Sequence, residues 1–419
     1  MSAGAVLVVT DARTLAGERV GLRCGAGGTV TALGPDVVAE PGERTLDAAG
    51  AILVPPLVNG HTHAAMTLFR GSGGDLPLMP WLEERIWPVE GRLEAEDVYW
   101  GTRLACLEMI RSGTARFWDM YWQPEATARA VADAGLRATI GAPMFDQGRD
   151  PKAAQAEARA SLEALTAIGG PVTAALAPHS IYMVSEESLT FLAELSAECG
   201  APVQIHLSET KPEVDDCLGE HGRRPAAYID DLGLLSERTV LAHGVWLDDE
   251  ELDLIAARGA TVVSNPAANM KLAVGKVFDW PSARAAGVRV GLGTDGAGSN
   301  DSLDLLADLK LFALAQRHAA ADATAVAVDD AWAIATGAKA PLLGATPLAV
   351  GEPADFLLLD PTAPELAIGE PTADLVYAAD RTAIDTVVVA GRILMHGGVQ
   401  PERDEVVTRA RERATRLGL

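Results

Sequence analysis

Thiol chemistry has little to work with in this chain. Its four cysteines, Cys24, Cys106, Cys199 and Cys217, are scattered, with no Cys-x-x-Cys pair and no disulfide-framework spacing. That pattern argues against a disulfide-built scaffold and predicts a reducing, cytoplasmic setting. Long apolar runs are missing too, since no stretch of about 18 apolar residues occurs anywhere. Met1 to Asp11 also lacks a basic region followed by an apolar core and a cleavage site. The expectation is no export and no membrane span. Positive charge is scarce, with 34 Lys and Arg against 58 Asp and Glu and a net charge of −24. A field of that sign repels phosphate backbones and anionic lipid, so nucleic acid and membrane are poor partners. It says nothing specific about a substrate.

What the chain does have is length and apolar content. Its 419 residues, 48% of them hydrophobic, suffice for one large domain plus a smaller one. Val6 to Val9, Arg19 to Arg23 and Val30 to Leu33 read as short strands between Gly and Asp turn signals. Asp355 to Asp360 and Asp385 to Ala390, followed by Gly391-Arg392, repeat that style near the other end. The two ends are therefore expected to pair into one small composite β-sandwich domain, residues 1–54 and 347–419. Ala319 to Val328 is Ala-rich and helix-prone, and Arg403 to Leu419 reads as a charged closing helix.

Between the ends, apolar β-rich runs alternate with Ala-, Leu- and Glu-rich helical patterns, the signature of parallel strands joined by helices. The eight candidate strands are Leu53 to Val58, Ala115 to Met120, Arg137 to Ala142, Val172 to Ala177, Pro202 to Leu207, Thr239 to Ala242, Thr261 to Ser264 and Arg289 to Gly293. Eight strand-helix units predict an α/β fold, a (β/α)8 TIM-type barrel over residues 55–346, whose chemistry gathers at the strands' C-terminal ends.

The polar clusters fall at those ends. Asn59-Gly60-His61-Thr62-His63 closes the first strand, and alternate side chains of extended chain share a face, so His61 and His63 can ligate one cation. His206 closes the fifth strand, His243 the sixth and Asp295 the eighth. A buried strand-end Asp must be paired, hydrogen-bonded or metal-bound. Nitrogen and oxygen ligands without thiolate suit Zn, Fe, Mn or Co. Glu209 stands three residues beyond His206, an offset that faces away unless the chain turns after Leu207.

These residues resemble the amidohydrolase superfamily. Within it, the chain is similar to the branch of 5′-methylthioadenosine/S-adenosylhomocysteine deaminases and triazine chlorohydrolases. His206-Leu207-Ser208-Glu209-Thr210, Ser264-Asn265-Pro266-Ala267-Ala268-Asn269-Met270-Lys271-Leu272 and Gly293-Thr294-Asp295-Gly296-Ala297-Gly298-Ser299-Asn300 carry the likeness together with the first-strand motif. The resemblance implies one divalent metal, usually zinc, on His61, His63, His206 and Asp295. It implies Glu209 as proton shuttle, His243 as water activator and Asp295 as ligand and base. No lysine lies in Val172 to Ala177, where binuclear relatives carry a bridging carbamylated lysine, so one metal is expected. A bound dication lowers the pKa of water from about 15.7 towards about 7, which supplies a nucleophile at neutral pH.

The implied reaction is hydrolytic deamination of an adenosine derivative to the inosine derivative and ammonia. The 5′ group is left open among homocysteine, methylthio, deoxy, free hydroxyl and a benzoate-bearing analogue. For substrate binding the resemblance implies Trp81, Glu90 on the ribose hydroxyls, His179 at the fourth strand end and Arg149 at the 5′ substituent. Each of the first three also has an ordinary packing or hydrogen-bonding role open to it. The aromatic run Trp118 to Trp122 can line this pocket or pack the strand ends. An Arg that some relatives carry near Ala142 is absent. Other heterocycles (guanine, an oxidised purine, a pterin, a triazine) and a non-catalytic scaffold stand as alternatives. The unrelated zinc deaminases with His-x-Glu and Pro-Cys-x-x-Cys are excluded because neither motif combination occurs. A homodimer fits barrels of this kind, although no residue of the sequence specifies it.

Overall fold

A pair of prolines sets the first boundary. Pro55 and Pro56 have no backbone N–H to donate, so the apolar run expected as one strand, Leu53 to Val58, is broken in two. Ile52–Val54 joins the sheet of the chain ends, while Leu57–Thr62 opens a separate parallel set. The computed structural model describes residues 7–72, 76 and 78–419. Met1 to Val6, including the start expected for the opening strand, lie outside the described residues.

The parallel set comprises β1 (Leu57–Thr62), β2 (Thr114–Met120), β3 (Arg137–Gly141), β4 (Val172–Ala174), β5 (Val203–Leu207), β6 (Thr239–His243), β7 (Thr261–Ser264) and β8 (Arg289–Leu292). The first four strands pair in chain order as one four-stranded sheet, and the last four do so as another. Apart from Val172–Ala174, of which only Val172 is fully buried, these strands are largely buried, as strands of a helix-covered parallel sheet are.

Both seams between these sheets are bridged. Beyond β4 the backbone pairs Leu176 with Val203 and Ser180 with His206 in parallel. At the other seam Asp295 N donates to His61 O at 3.0 Å. Inside, Gln204 Nε2 donates to Gly60 O at 3.0 Å. The backbone at Gly60 packs too closely for a side chain: a Cβ there would lie 2.9 Å from both Leu343 Cδ1 and Val263 Cγ2.

The two chain ends share one eight-stranded sheet. Its path runs from Arg392–Met395 through Ile384–Val389, Phe356–Leu359 and Ile52–Val54 to Leu7–Arg13, Arg19–Cys24 and Val30–Gly34, with Arg44–Asp47 also on Leu7–Arg13. Leu7, Val9, Leu22, Leu53, Phe356 and Val388 form its own apolar cluster. The closing helix is present as Arg403–Leu417.

Ala319 to Val328 is not one continuous helix: Ala319 and Ala320 end helix Leu305–Ala320, Val328 opens helix Val328–Ala335, and residues 321–327 are the break between them. Ala321 is left-handed at φ 50°, and Asp322 Oδ1 accepts from Thr324 N at 2.7 Å, a local bond that competes with helical pairing.

Candidate metal centre and active-site pocket

Histidine and aspartate converge where the strands end. His61 and His63 stand at the end of β1, His206 near the end of β5, His243 at the end of β6, and Asp295 three residues past β8. Candidate ligand atoms of His61, His63 and His206 lie within 4.8 Å of one another, as do those of His61, His243 and Asp295. Asp295 Oδ1 sits 3.4 Å from His61 Nε2 and 3.2 Å from His63 Nε2.

The backbone takes unusual conformations to bring this about. His243 has φ 76°, Asp295 φ 60° and Ser208 φ 52°, left-handed values that non-glycine residues adopt at a cost of roughly 1–3 kcal/mol. Ser208 supplies the turn that the Glu209 offset demands: β5 ends at Leu207, the chain reverses its facing, and Glu209 joins His206 in the same pocket. Glu213 pins that turn, accepting from Ser208 N and Glu209 N at 2.8 Å each.

Neighbouring carbonyls set the imidazole tautomers. His63 Nδ1 donates to Met120 O at 2.6 Å and His206 Nδ1 donates to His179 O at 2.7 Å. Both rings then turn an Nε2 lone pair inward, and these two atoms face each other at 3.4 Å. Two lone pairs at that distance repel unless a cation or a proton lies between them. His61 is fully buried, and neither of its ring nitrogens has a hydrogen-bond partner. Burial lowers its pKa to about 4, while burial and the surrounding histidines hold His206 well below the ordinary range, so both are neutral at pH 7. Burial works against the Asp295 carboxylate, but the His61 and His63 imidazoles beside it override that and keep the group well below the usual carboxylate range. Ser299 Oγ donates to Asp295 Oδ2 at 2.6 Å. At His63 burial is outweighed by the Asp295 carboxylate, which lifts its pKa to about 9, so a proton there balances the charge that a cation would otherwise balance. Imidazoles around one carboxylate, with an orphaned buried histidine among them, are a donor set that fits a divalent cation.

Above this cluster opens a cavity of about 710 Å³. Glu209, His243, Glu90, Trp81 and His179 all line it. Burial raises the Glu209 pKa, and its Oε1 lies 3.9 Å from His243 Nδ1, which itself bonds Asn269 Oδ1 at 2.8 Å. Glu90 accepts from Tyr121 OH at 2.7 Å, and burial raises its pKa as well.

Trp81 and Glu90 share one helical stretch, Leu78–Glu90, whose middle, Leu82–Ile86, is a π turn. Nine residues of regular helix would leave the two facing about half a turn apart, and the wider turn brings Glu90 round to the pocket that Trp81 lines. Trp81 Nε1 donates to Ser72 O at 2.9 Å. His179 packs on Phe145, with ring centroids 4.8 Å apart.

Arg149 is not brought into this pocket. It is exposed and paired with Glu157 at 2.8 Å, in an adjoining cleft that shares the Trp122 and Phe145 wall with the main cavity. Those two rings stack at 5.3 Å and separate Arg149 from the metal-facing side. Asp119, Glu213, Asn269 and Ser299 were missed as individual residues. Glu213 had left a trace, because Thr210 and Glu213 have capping-box spacing, with Thr210 Oγ accepting from Glu213 N at 3.4 Å.

Imidazoles and a carboxylate gathered at the C-terminal ends of parallel strands define a class, the divalent-metal hydrolases built on α/β scaffolds. The comparison with known proteins narrows it: residues 52–394 match the Amidohydrolase family, and the chain belongs to that family. It is 45% identical over 382 residues to a 5′-deoxyadenosine deaminase of Methanoregula boonei, covering 90% of this chain and 86% of the relative. Over 386 residues it is 39% identical to 5-methylthioadenosine/S-adenosylhomocysteine deaminase 1 of Archaeoglobus fulgidus, covering 90% and 91%. Among solved structures, an adenosine deaminase from Xanthomonas campestris with bound zinc superposes with a TM-score of 0.91 at 30% identity, covering 99% of this chain and 98% of that one. None of the helices among the described residues is long and apolar enough to cross a membrane.

Proposed function

We propose that this enzyme is a metal-dependent hydrolytic deaminase that replaces the 6-amino group of an adenosine derivative with oxygen, releasing ammonia. The observation that carries this reading is the placement of Glu209 beside His243, above the His61, His63, His206 and Asp295 cluster, in a pocket that also presents Glu90. The named activities of the two curated relatives, on 5′-deoxyadenosine and on methylthioadenosine or S-adenosylhomocysteine, support the same substrate class.

His61, His63, His206 and Asp295 would hold one ion, and zinc is the proposed metal. Such an ion supplies Lewis acidity that makes water a nucleophile near neutral pH. Asp295 and His243 orient the attacking water over the amino-bearing ring carbon and accept its proton. Glu209, whose burial favours the protonated form, donates to the adjacent ring nitrogen, so that the electrons displaced by attack have somewhere to go. The proton taken up by Asp295 and His243 passes to the amino group, which leaves as ammonia, and the second proton of the water, released as the ring carbonyl forms, restores the Glu209 carboxyl. Glu90 accepts hydrogen bonds from the vicinal ribose hydroxyls, and Trp81 and His179 form walls against the nucleoside.

The two parallel sheets, bridged at both seams, support a single closed (β/α)8 barrel over residues 55–346. Residues 1–54 and 347–419 would form a composite β-sandwich domain carrying the closing helix. The scattered cysteines support a cytoplasmic setting.

Ammonia release and metal content measured on one sample, against adenosine derivatives, guanine and a triazine, test the reading. Turnover of adenosine derivatives that Glu209→Gln abolishes, with about one metal per chain retained, is the expected result. Reaction with only a free base or a triazine overturns the roles given to Glu90 and His179.

A further inference from the structure

Asp308 is a buried carboxylate with no part in the chemistry described so far. It stands in the first turn of helix Leu305–Ala320, 1% exposed, and is not among the residues that line the pocket. Burial pushes its pKa up to about 7, while two neutral donors from different segments favour its charged form. Asn300 Nδ2 donates to its Oδ2 at 3.0 Å, and Ala267 N donates to its Oδ1 at 3.2 Å.

Those donors lead to the two groups that handle the attacking water. Asn300 Nδ2 gives its other hydrogen to Thr294 O at 2.7 Å, and Asp295 N, on the same peptide, donates to His61 O at 3.0 Å. The peptide plane before Asp295 is thus held at both edges, which fixes the left-handed backbone that aims its carboxylate. Ala267 N belongs to helix Pro266–Lys271, which carries Asn269, the acceptor for His243 Nδ1 at 2.8 Å. Because Pro266 has no N–H, Ala267 presents the first free donor of that helix. Asn265, at the cap position, makes no cap bond, and its side-chain amide nitrogen lies 3.4 Å from His243 Nδ1 instead. Asp308 supplies the missing cap from another helix.

Building on the deaminase reading above, in which His243 and Asp295 orient the water, we infer that Asp308 is a positioning residue that holds those two groups in one frame, through Ala267 on one side and Asn300 on the other. It must accept twice to do so. An amide at position 308 keeps the shape but brings an N–H of its own, which then faces Ala267 N or Asn300 Nδ2, whichever way it turns.

The test compares the parent with Asp308→Asn and Glu251→Gln at about pH 8.5, where the Asp308 carboxylate is charged. Glu251 is the control. It is 2% exposed and caps helix Pro225–Asp231 in the same way, accepting from Ala226 N at 2.9 Å, but that helix carries no pocket residue. The readings are kcat and KM for ammonia release from an adenosine derivative, the zinc dissociation constant by competition with a chelating dye, and Tm. Expected for Asp308→Asn is a kcat lower by on the order of 10- to 100-fold and zinc binding weaker by about 10-fold, with KM within about twofold of the parent. Glu251→Gln should lose Tm while keeping parental kcat and zinc affinity. Parental kcat and zinc affinity in Asp308→Asn overturn the inference and leave the deaminase reading intact. A Glu251→Gln that loses kcat as steeply also overturns it, since general loosening is then the cause. Where Asp308→Asn does not fold, Asn300→Ala, which cuts only the Asp295 arm, decides by the same kcat and zinc readings. A parent that turns over no adenosine derivative sinks the deaminase reading, and zinc affinity then decides for Asp308: weaker binding in the variant supports the frame, and unchanged binding overturns it.

Discussion

Single side chains near the pocket act through neighbours that can be removed one atom at a time. Tyr121 OH is the partner that fixes Glu90, so Tyr121→Phe frees that carboxylate without changing the shape of the wall. A lost hydrogen bond to a charged group is worth about 1.5–3 kcal/mol when buried, and less at this half-buried position. The expected effect is a rise in KM of roughly 5-fold for ribosides with kcat little changed, read by steady-state kinetics; an unchanged KM would detach Tyr121 from substrate binding. Glu213 offers a second test, through pH. Burial pushes its pKa up from 4.5 to about 7, although the Ser208 and Glu209 amides favour the charged form. The folded state therefore holds more protons than the unfolded one between those values, and this group's contribution to stability falls as pH rises from about 4.5 to 7. Glu213→Gln removes that dependence, so its Tm relative to the parent should move in the variant's favour between pH 5 and pH 7.5. A Tm difference that is flat with pH would sink the assignment.

At the scale of elements, the chemistry rests on where strands stop and how the chain leaves them. Metal binding should be visible as element stability, because His63 and His206 turn lone pairs towards one another beside the unpartnered His61 ring. Chelation is expected to lower Tm by roughly 3 °C, with zinc restoring it, since a ligand at 100 times its Kd adds about 2.7 kcal/mol to the folded state and a chain of 419 residues shifts by about 1 °C per kcal/mol. The strand-end histidines and Asp295 were legible in sequence because each closes an apolar run, and the turn after Leu207 could be deduced from the two-residue period of a strand. What was not legible follows from contacts between distant segments. No local pattern says that Pro55 and Pro56 hand one half of an apolar run to a different sheet. No local pattern places a π turn between Trp81 and Glu90, whose spacing on a regular helix argues against a shared pocket. Position relative to a motif also says nothing about a carboxylate such as Glu157, on the adjacent helix, which pairs with Arg149 outside the lining of the main cavity. The Ala-rich stretch from Ala319 misled because helix propensity is a weak prior against one well-placed Asp322 turn.

For the molecule as a whole, a salt bridge reinforces the apolar joint at which Leu357, Ile384 and Val387 of the terminal sheet pack with Leu57 and Phe117 of the parallel strands. Arg137, at the start of β3, donates to Asp355 at 2.7 Å, and Asp355, 1% exposed, also accepts from Ala390 N at 2.7 Å. Removing one partner of a buried pair costs roughly 3–5 kcal/mol because the other is left uncompensated. Arg137→Met should lower stability by that order in denaturant titration while leaving KM at the parent value; an equal loss of substrate affinity would mean that the joint also shapes the pocket. The terminal sheet has a further consequence, in time rather than energy. Ile52–Val54 has Phe356–Leu359 as its antiparallel neighbour, and that segment leaves the ribosome some 300 residues later. At about 5–20 residues per second, the N-terminal strands wait on the order of half a minute with an open edge. During that interval the nascent chain depends on chaperones or on its own charge to avoid edge-to-edge pairing. Relocating the C-terminal strands ahead of Leu7 by circular permutation would remove the wait, and the soluble yield of such a permutant should exceed that of the natural order when chaperones are limiting.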